Sequence, residues 1–150
     1  MRTLIYKRTH HGDPDESGVF GIHDCMGRVR AFNFEAVIGV GGARPDRGSE
    51  DIAFKVNWIG IGPKKRVVAD KRGPLVTFDH FLFYGGDGPS FEKLAPFLFE
   101  RIYRRNIRVT MNGLTDVEQS EVAKILARAR NAPPSGGKAE SRKTQAARRC

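Results

Sequence analysis

The clearest periodicity along the chain is helical. Val122, Ile125, Leu126 and Ala129 recur at the i, i+3, i+4, i+7 spacing of one buried helix face. Ahead of them Thr115 and Glu118 form a T-x-x-E capping box. Asp116 in the first turn, and Lys124, Arg128 and Arg130 towards the end, suit the two ends of the helix dipole. A second helix is expected from Ser90 to about Arg105, with Phe91, Leu94, Phe97, Leu98, Ile102 and Tyr103 on its apolar face. Pro96 either kinks that helix or marks its true first turn.

The other apolar runs read as strands. Ala36–Val40 is a buried strand ending in Gly41 and Gly42. Ile52–Ile61 alternates at Ile52, Phe54, Val56 and Trp58, the period of two of a half-buried strand. Leu4–Arg8, Val67–Val68, Leu75–Thr77, His80–Tyr84 and Ile107–Met111 are shorter candidates, and a short helix is expected near Cys25–Phe32. Strands come first and helices late, unlike the alternation of a doubly wound sheet. The expected fold class is α+β, a small mixed, partly closed β-barrel with two or three packed helices.

Beyond Asn131 the pattern stops. Pro133, Pro134, Gly136 and Gly137 precede Lys138, Arg142, Lys143, Arg148 and Arg149, with Glu140 as the one acid and no large apolar residue. Such a segment cannot bury enough surface to offset its ordering entropy. The expected organisation is one α+β domain over residues 1–130 and a disordered basic tail over 131–150. The chain carries 26 Lys+Arg against 17 Asp+Glu, a formal charge of +9. Five bases against one acid leave +4 on the tail, and 21 against 16 leave +5 on the body. The two cysteines, Cys25 and Cys150, make no disulfide framework, and no run approaches the ~20 apolar residues of a membrane span. The expectation is a cytoplasmic protein with no membrane partner.

Candidate chemistry concentrates between Thr9 and Arg30. His10, His11, His23, Asp13, Asp15, Asp24 and Cys25 lie in this Gly-rich connection, and binding residues favour loops held by a scaffold. Paired C-x-x-C or H-x-x-x-H spacing is absent, so neither metal nor cofactor is expected. Cys25 beside His23 and Asp24 has the residue types of a thiol nucleophile, but adjacent side chains rarely converge. A pocket lined by Phe20, His23, Asp24 and Trp58 could instead stack and hydrogen-bond a flat ligand such as a base. For Trp58 the competing reading is an ordinary core residue. Val37–Gly42 lacks the glycine order and following helix of a dinucleotide site, and Ile59–Arg66 is no P-loop. Bases recur near these loops at Arg28, Arg30, Arg44, Arg47, Lys64, Lys65, Arg66, Lys71 and Arg72, and again at Arg101, Arg104, Arg105 and Arg108. Clustered bases with interleaved aromatics are a footprint of nucleic-acid binding.

The order of these features resembles a known group. Phe20 and Gly21, then Cys25, then Arg28 and Arg30, lead to the Ala36–Gly42 strand, the Ala53–Ile61 strand, Phe78, Asp79, His80 and Phe81, and a helical stretch. This is similar to the bacterial nucleotide-modification-associated domains, within the PUA-like group that includes EVE and ASCH domains. The resemblance covers roughly residues 4–100. It implies a small mixed barrel that binds nucleic acid, DNA or RNA, with a pocket for a modified or flipped base. Phe20, Cys25, Arg28, Gly39 and Gly41 match it best. Trp58 matches no position of that pattern and enters as a stacking platform read from the chain itself; together the two readings give an expected ligand set of Phe20, His23, Asp24, Cys25, Arg28, Gly41 and Trp58, with Arg30, Arg44, Lys64, Lys65 and Arg66 on the phosphates. The Thr9–Asp15 run departs from the pattern. It leaves open an enzyme acting on nucleic acid or nucleotides through His10, His23, Asp24 and Cys25.

Overall fold

The computed structural model describes residues 2–7, 18, 20–21, 34–41, 54–66, 75–104 and 113–134, and only the backbone of Lys7, Phe20, Gly21, Lys65, Arg66, Leu75 and Gly86. Among the described residues five strands are present: β1 (Thr3–Lys7), β2 (Phe20–Gly21), β3 (Ala36–Val40), β4 (Val56–Arg66) and β5 (Leu75–Phe83). They form one sheet in the order β1-β3-β4-β5-β2. β1 and β3 are parallel and the other neighbours antiparallel. Helices α1 (Phe91–Leu94), α2 (Pro96–Phe99) and α3 (Asp116–Ala127) follow. The chain is α+β, as its order of strands then helices implies. The two short candidates Leu75–Thr77 and His80–Tyr84 belong to a single strand, β5. Val67–Val68, Ile107–Met111 and the helix near Cys25–Phe32 lie outside the described residues.

Strand β4 does not alternate as its sequence suggests. Gly39 of β3 pairs with Trp58, but the next residue, Val40, pairs with Val56. Asn57 is thus an additional residue on β4, a β-bulge. It reverses the alternation of side chains, so Val56 and Trp58 point to opposite faces. Phe54 is not in the strand. It occupies a turn at φ 61, a left-handed conformation rare for a bulky side chain.

Each face of the sheet carries its own core. On one face Ile5, Ile38, Val40, Val56 and Ile59 pack against Phe91, Leu98, Ile102, Val122 and Ile125 of the helical layer. On the other, Leu4, Val37, Trp58, Val76, Phe78 and Phe81 form an aromatic-rich cluster edged by Tyr6 and Phe34. Trp58 is 0% exposed. Its ring centroid lies 5.8 Å from Phe78, 5.9 Å from Phe81 and 6.2 Å from Tyr6, inside the range of favourable aromatic pairs. The indole also lies over Gly39, where an added Cβ would sit 2.1 Å from Nε1.

The helical layer follows its capping signals. Ser90 caps α1. Pro96 breaks the expected long helix, because the residue before proline is driven out of the helical region; Ala95 has φ −142 and ψ 67. α2 restarts with Pro96 in its first turn and runs into a π-helical turn at Glu100–Arg104. The Glu121 carboxylate of α3 accepts the Phe97 and Leu98 N–H bonds at 3.1 and 2.9 Å, satisfying donors that the break would leave orphaned. α3 has the full Thr115–Glu118 capping box and buries Val122, Ile125 and Leu126, and Ala129 is buried just beyond its end. After it the chain folds back on β5: the Ala132 carbonyl accepts from His80 Nδ1 at 2.7 Å and that of Pro133 from the Phe81 N–H at 2.9 Å. The packed body therefore reaches Pro133, past the boundary expected at Asn131.

Gly39→Ala should drive a methyl into the indole and destabilise the fold by ~1–3 kcal/mol. Trp58→Ala, which empties the same place, should cost ~3–5 kcal/mol. Denaturant unfolding checks both. Native stability in either variant would contradict the packing described for the second core.

Candidate functional site

The structure divides the expected site. Phe20 in β2 and Lys65 in β4 pair with Val76 of β5 from its two sides, and Arg66 pairs with Leu75. Phe20 and the Lys64–Arg66 bases therefore share one end of the sheet. Gly41 is at the opposite end, hydrogen-bonded to Lys55. β4 has eleven residues, so these ends are roughly 30 Å apart. His10, His23, Asp24, Cys25, Arg28, Arg30 and Arg44 lie outside the described residues. Trp58 is enclosed in the second core, so the stacking platform expected there gives way to the core reading.

Gly41 is bonded through both of its backbone groups. Its N–H donates to the Lys55 carbonyl at 2.9 Å. Its carbonyl accepts from the Tyr103 hydroxyl. Burial pushes the Tyr103 phenol well above its usual range, so it remains a protonated donor. The buried Asn57 amide, oriented by its hydrogen bonds, accepts from the Gly41 N–H at 3.2 Å and donates to the Gly85 carbonyl at 3.3 Å. Phe54 packs edge-on against Tyr103 with centroids 5.2 Å apart. The bulge thus ties the end of β3, the turn after β5 and the π-helical turn together. Gly41 holds that junction through both of its backbone groups.

Cations separate into two kinds. Arg101 makes a bidentate pair with Glu118 at 2.7 and 2.8 Å. Arg104 pairs with Glu100 at 2.9 Å, and exposed Lys64 with Asp79 at 2.8 Å. Lys124, Arg128 and Arg130 are exposed and make no ion pair among the described residues. They begin a stretch, Lys124 to Cys150, with eight bases against one acid. That stretch carries +7 of the formal +9, so the charge is far more one-sided than a division at Asn131 suggests.

Beside Lys124 an open groove of about 520 Å³ runs between α1–α2 and α3. Lys93, Leu94, Phe97, Val117, Ser120 and Lys124 are among its lining residues. Phe97 is 61% exposed and Val117 49%. Helical periodicity places Phe97 on the apolar face with Leu98. The break at Ala95 and Pro96 instead turns Leu98 inward and Phe97 out. Only the proline signalled that outcome in the sequence.

No family model matches the chain, and comparisons with curated proteins and with solved structures return no match. Among the described residues no helix is long and apolar enough to cross a membrane.

Glu118 supplies the pH-dependent contact of this region. Burial pushes its carboxyl up, but the Thr115 backbone N–H and the Arg101 guanidinium outweigh burial and hold it below 4.5, its ordinary value. A carboxyl lowered by folding contributes stability above about pH 4.5, and loses that contribution as pH falls through the lowered value. The native chain should therefore melt above Glu118→Gln at neutral pH, with the gap closing in acid. A gap in melting temperature that stays constant with pH would contradict this.

Proposed function

We propose that the chain is a nucleic-acid-binding module that recognises a base, modified bases included, in DNA modification or defence. The observation that carries this reading is the one-sided charge from Lys124 onward, eight bases against one acid. Lys124, Arg128 and Arg130 have no carboxylate partner among the described residues, so their charge is available to phosphates. Each phosphate neutralised releases condensed counterions, which makes such binding favourable at low salt and steeply salt-dependent. The paired cations Lys64, Arg101 and Arg104 contribute less, since each already faces an acid.

The PUA-like, partly closed barrel belongs to this proposal. β1 and β2 are consecutive in the chain but lie at opposite edges of the sheet, an arrangement that a curled sheet would bring closer together. Phe20, with Lys64, Lys65 and Arg66 at the same sheet end, remains part of the base-reading surface in this reading. His23, Asp24, Cys25 and Arg28 remain its proposed polar contacts, and Arg30 and Arg44 its further phosphate contacts.

Replacing Lys124, Arg128 and Arg130 together by Glu should weaken binding of a labelled oligonucleotide at least about tenfold at low salt. The slope of log K against log salt should become shallower by ~0.7–0.9 for each phosphate that is no longer neutralised. Fluorescence anisotropy over a salt series measures both. Unchanged affinity and slope would overturn the reading.

A further inference from the structure

We propose that the groove between α2 and α3 is a binding site for single-stranded nucleic acid, in which the Phe97 ring stacks on a base while Lys93 and Lys124 hold the flanking phosphates. This rests on the nucleic-acid reading above and names the surface and the form of the strand.

Phe97 is the aromatic residue most open to solvent among the described residues. Phe91, Phe99 and Tyr103, its neighbours in sequence, all pack on other rings. Phe97 makes no ring contact among the described residues. Its place is nevertheless fixed. The Phe97 and Leu98 N–H groups are both held by the Glu121 carboxylate, and the Leu98 side chain is fully buried. A ring presented by a pinned backbone loses little freedom on stacking, which favours affinity.

Two cations and two acids line the groove, and they differ in what they already bond. Lys93 and Lys124 line the groove, and neither makes an ion pair among the described residues. Glu121 also lines it, but both of its carboxylate oxygens already accept backbone N–H bonds. Asp116 is the remaining acid, eight residues from Lys124 along α3 and so about 12 Å away. Val117, Glu121, Lys124 and Arg128 recur along one side of α3 at three- and four-residue steps. Along α3 the lining runs from Asp116 and Val117 through Glu121 to Lys124, and exposed Arg128 continues that side beyond the groove. An apolar platform leading into unpaired cations matches a base followed by phosphates.

A single strand fits better than a duplex. Stacking on a side chain needs an open base face, and base pairs in a helix stack on one another instead. The groove volume lies within the range of small-molecule sites, with room for a base.

The test uses the full chain and two labelled probes, a short oligothymidylate and a duplex of the same length, titrated at low salt. Phe97→Ala should weaken single-strand binding about tenfold or more while duplex binding changes little. Phe97→Tyr, which keeps a stacking ring, should retain near-native affinity. Lys124→Ala should weaken binding and flatten the salt dependence. Phe97 is exposed, so circular dichroism should show these variants folded. If Phe97→Ala binds the single strand as tightly as the native chain, the groove proposal is overturned while the nucleic-acid reading stands. If the native chain binds neither probe, both fall. Poly-glutamate that displaces the oligothymidylate as effectively per charge would mark a groove for acidic peptide, and would also overturn the proposal.

Discussion

Asn57, one residue more than the β3–β4 register needs, is the constraint on which this structure turns. The bulge sends Val56 to the helical face of the sheet and Trp58 to the other, so a single strand serves two cores. It also carries a carboxamide into the place where β3 ends. There the amide bonds Gly41 and Gly85, while the Asn57 backbone carbonyl accepts from the Tyr84 N–H at 2.8 Å. Without the additional residue, Trp58 could not face Gly39 while Val56 packs under the helices. The junction at Gly41, the turn after β5 and the anchoring of Tyr103 would lose their common partner.

How much of this was legible in the sequence depended on the range over which each signal acts. α3 was readable because its cap, its charges and its apolar face are all local to one helix. β3 was readable because five apolar or small residues run straight into two glycines. The bulge left no such mark: Val56 and Trp58 keep even spacing in the sequence and lose it only against the register of β3. Pro96 announced a break but not which neighbour would turn outward. That outcome depends on Glu121, more than twenty residues away, which fixes the restarted helix. The candidate site was less readable still. Whether Lys64 is free depends on Asp79, and whether Arg101 is free depends on Glu118; composition cannot supply either pairing. Exposure decides what Trp58 and Phe97 can do. One aromatic that looked like a platform fills a core, and one that looked like core lies at the surface.

The distribution of acids gives the molecule a division of labour. Carboxylates sit where they hold the architecture, with Glu118 on the π-helical turn and Glu121 on the restarted helix. Among the described residues, Lys124, Arg128 and Arg130 make no ion pair, and the sequence after them adds five more bases against one acid. A packed body with modest net charge thus carries a strongly basic extension. Attraction to a polyanion and recognition of a base need not come from the same residues.

The place of Trp58 has an optical consequence. It is the chain's one tryptophan, and its indole is shielded by Phe78, Phe81, Tyr6 and the backbone at Gly39. Tryptophan emission from this protein therefore comes from a single chromophore in an apolar setting. It reports when the aromatic face of the sheet opens to water and is remote from events on the α3 surface. The native sequence contains its own unfolding gauge, and that gauge is separate from the residues proposed to meet a ligand.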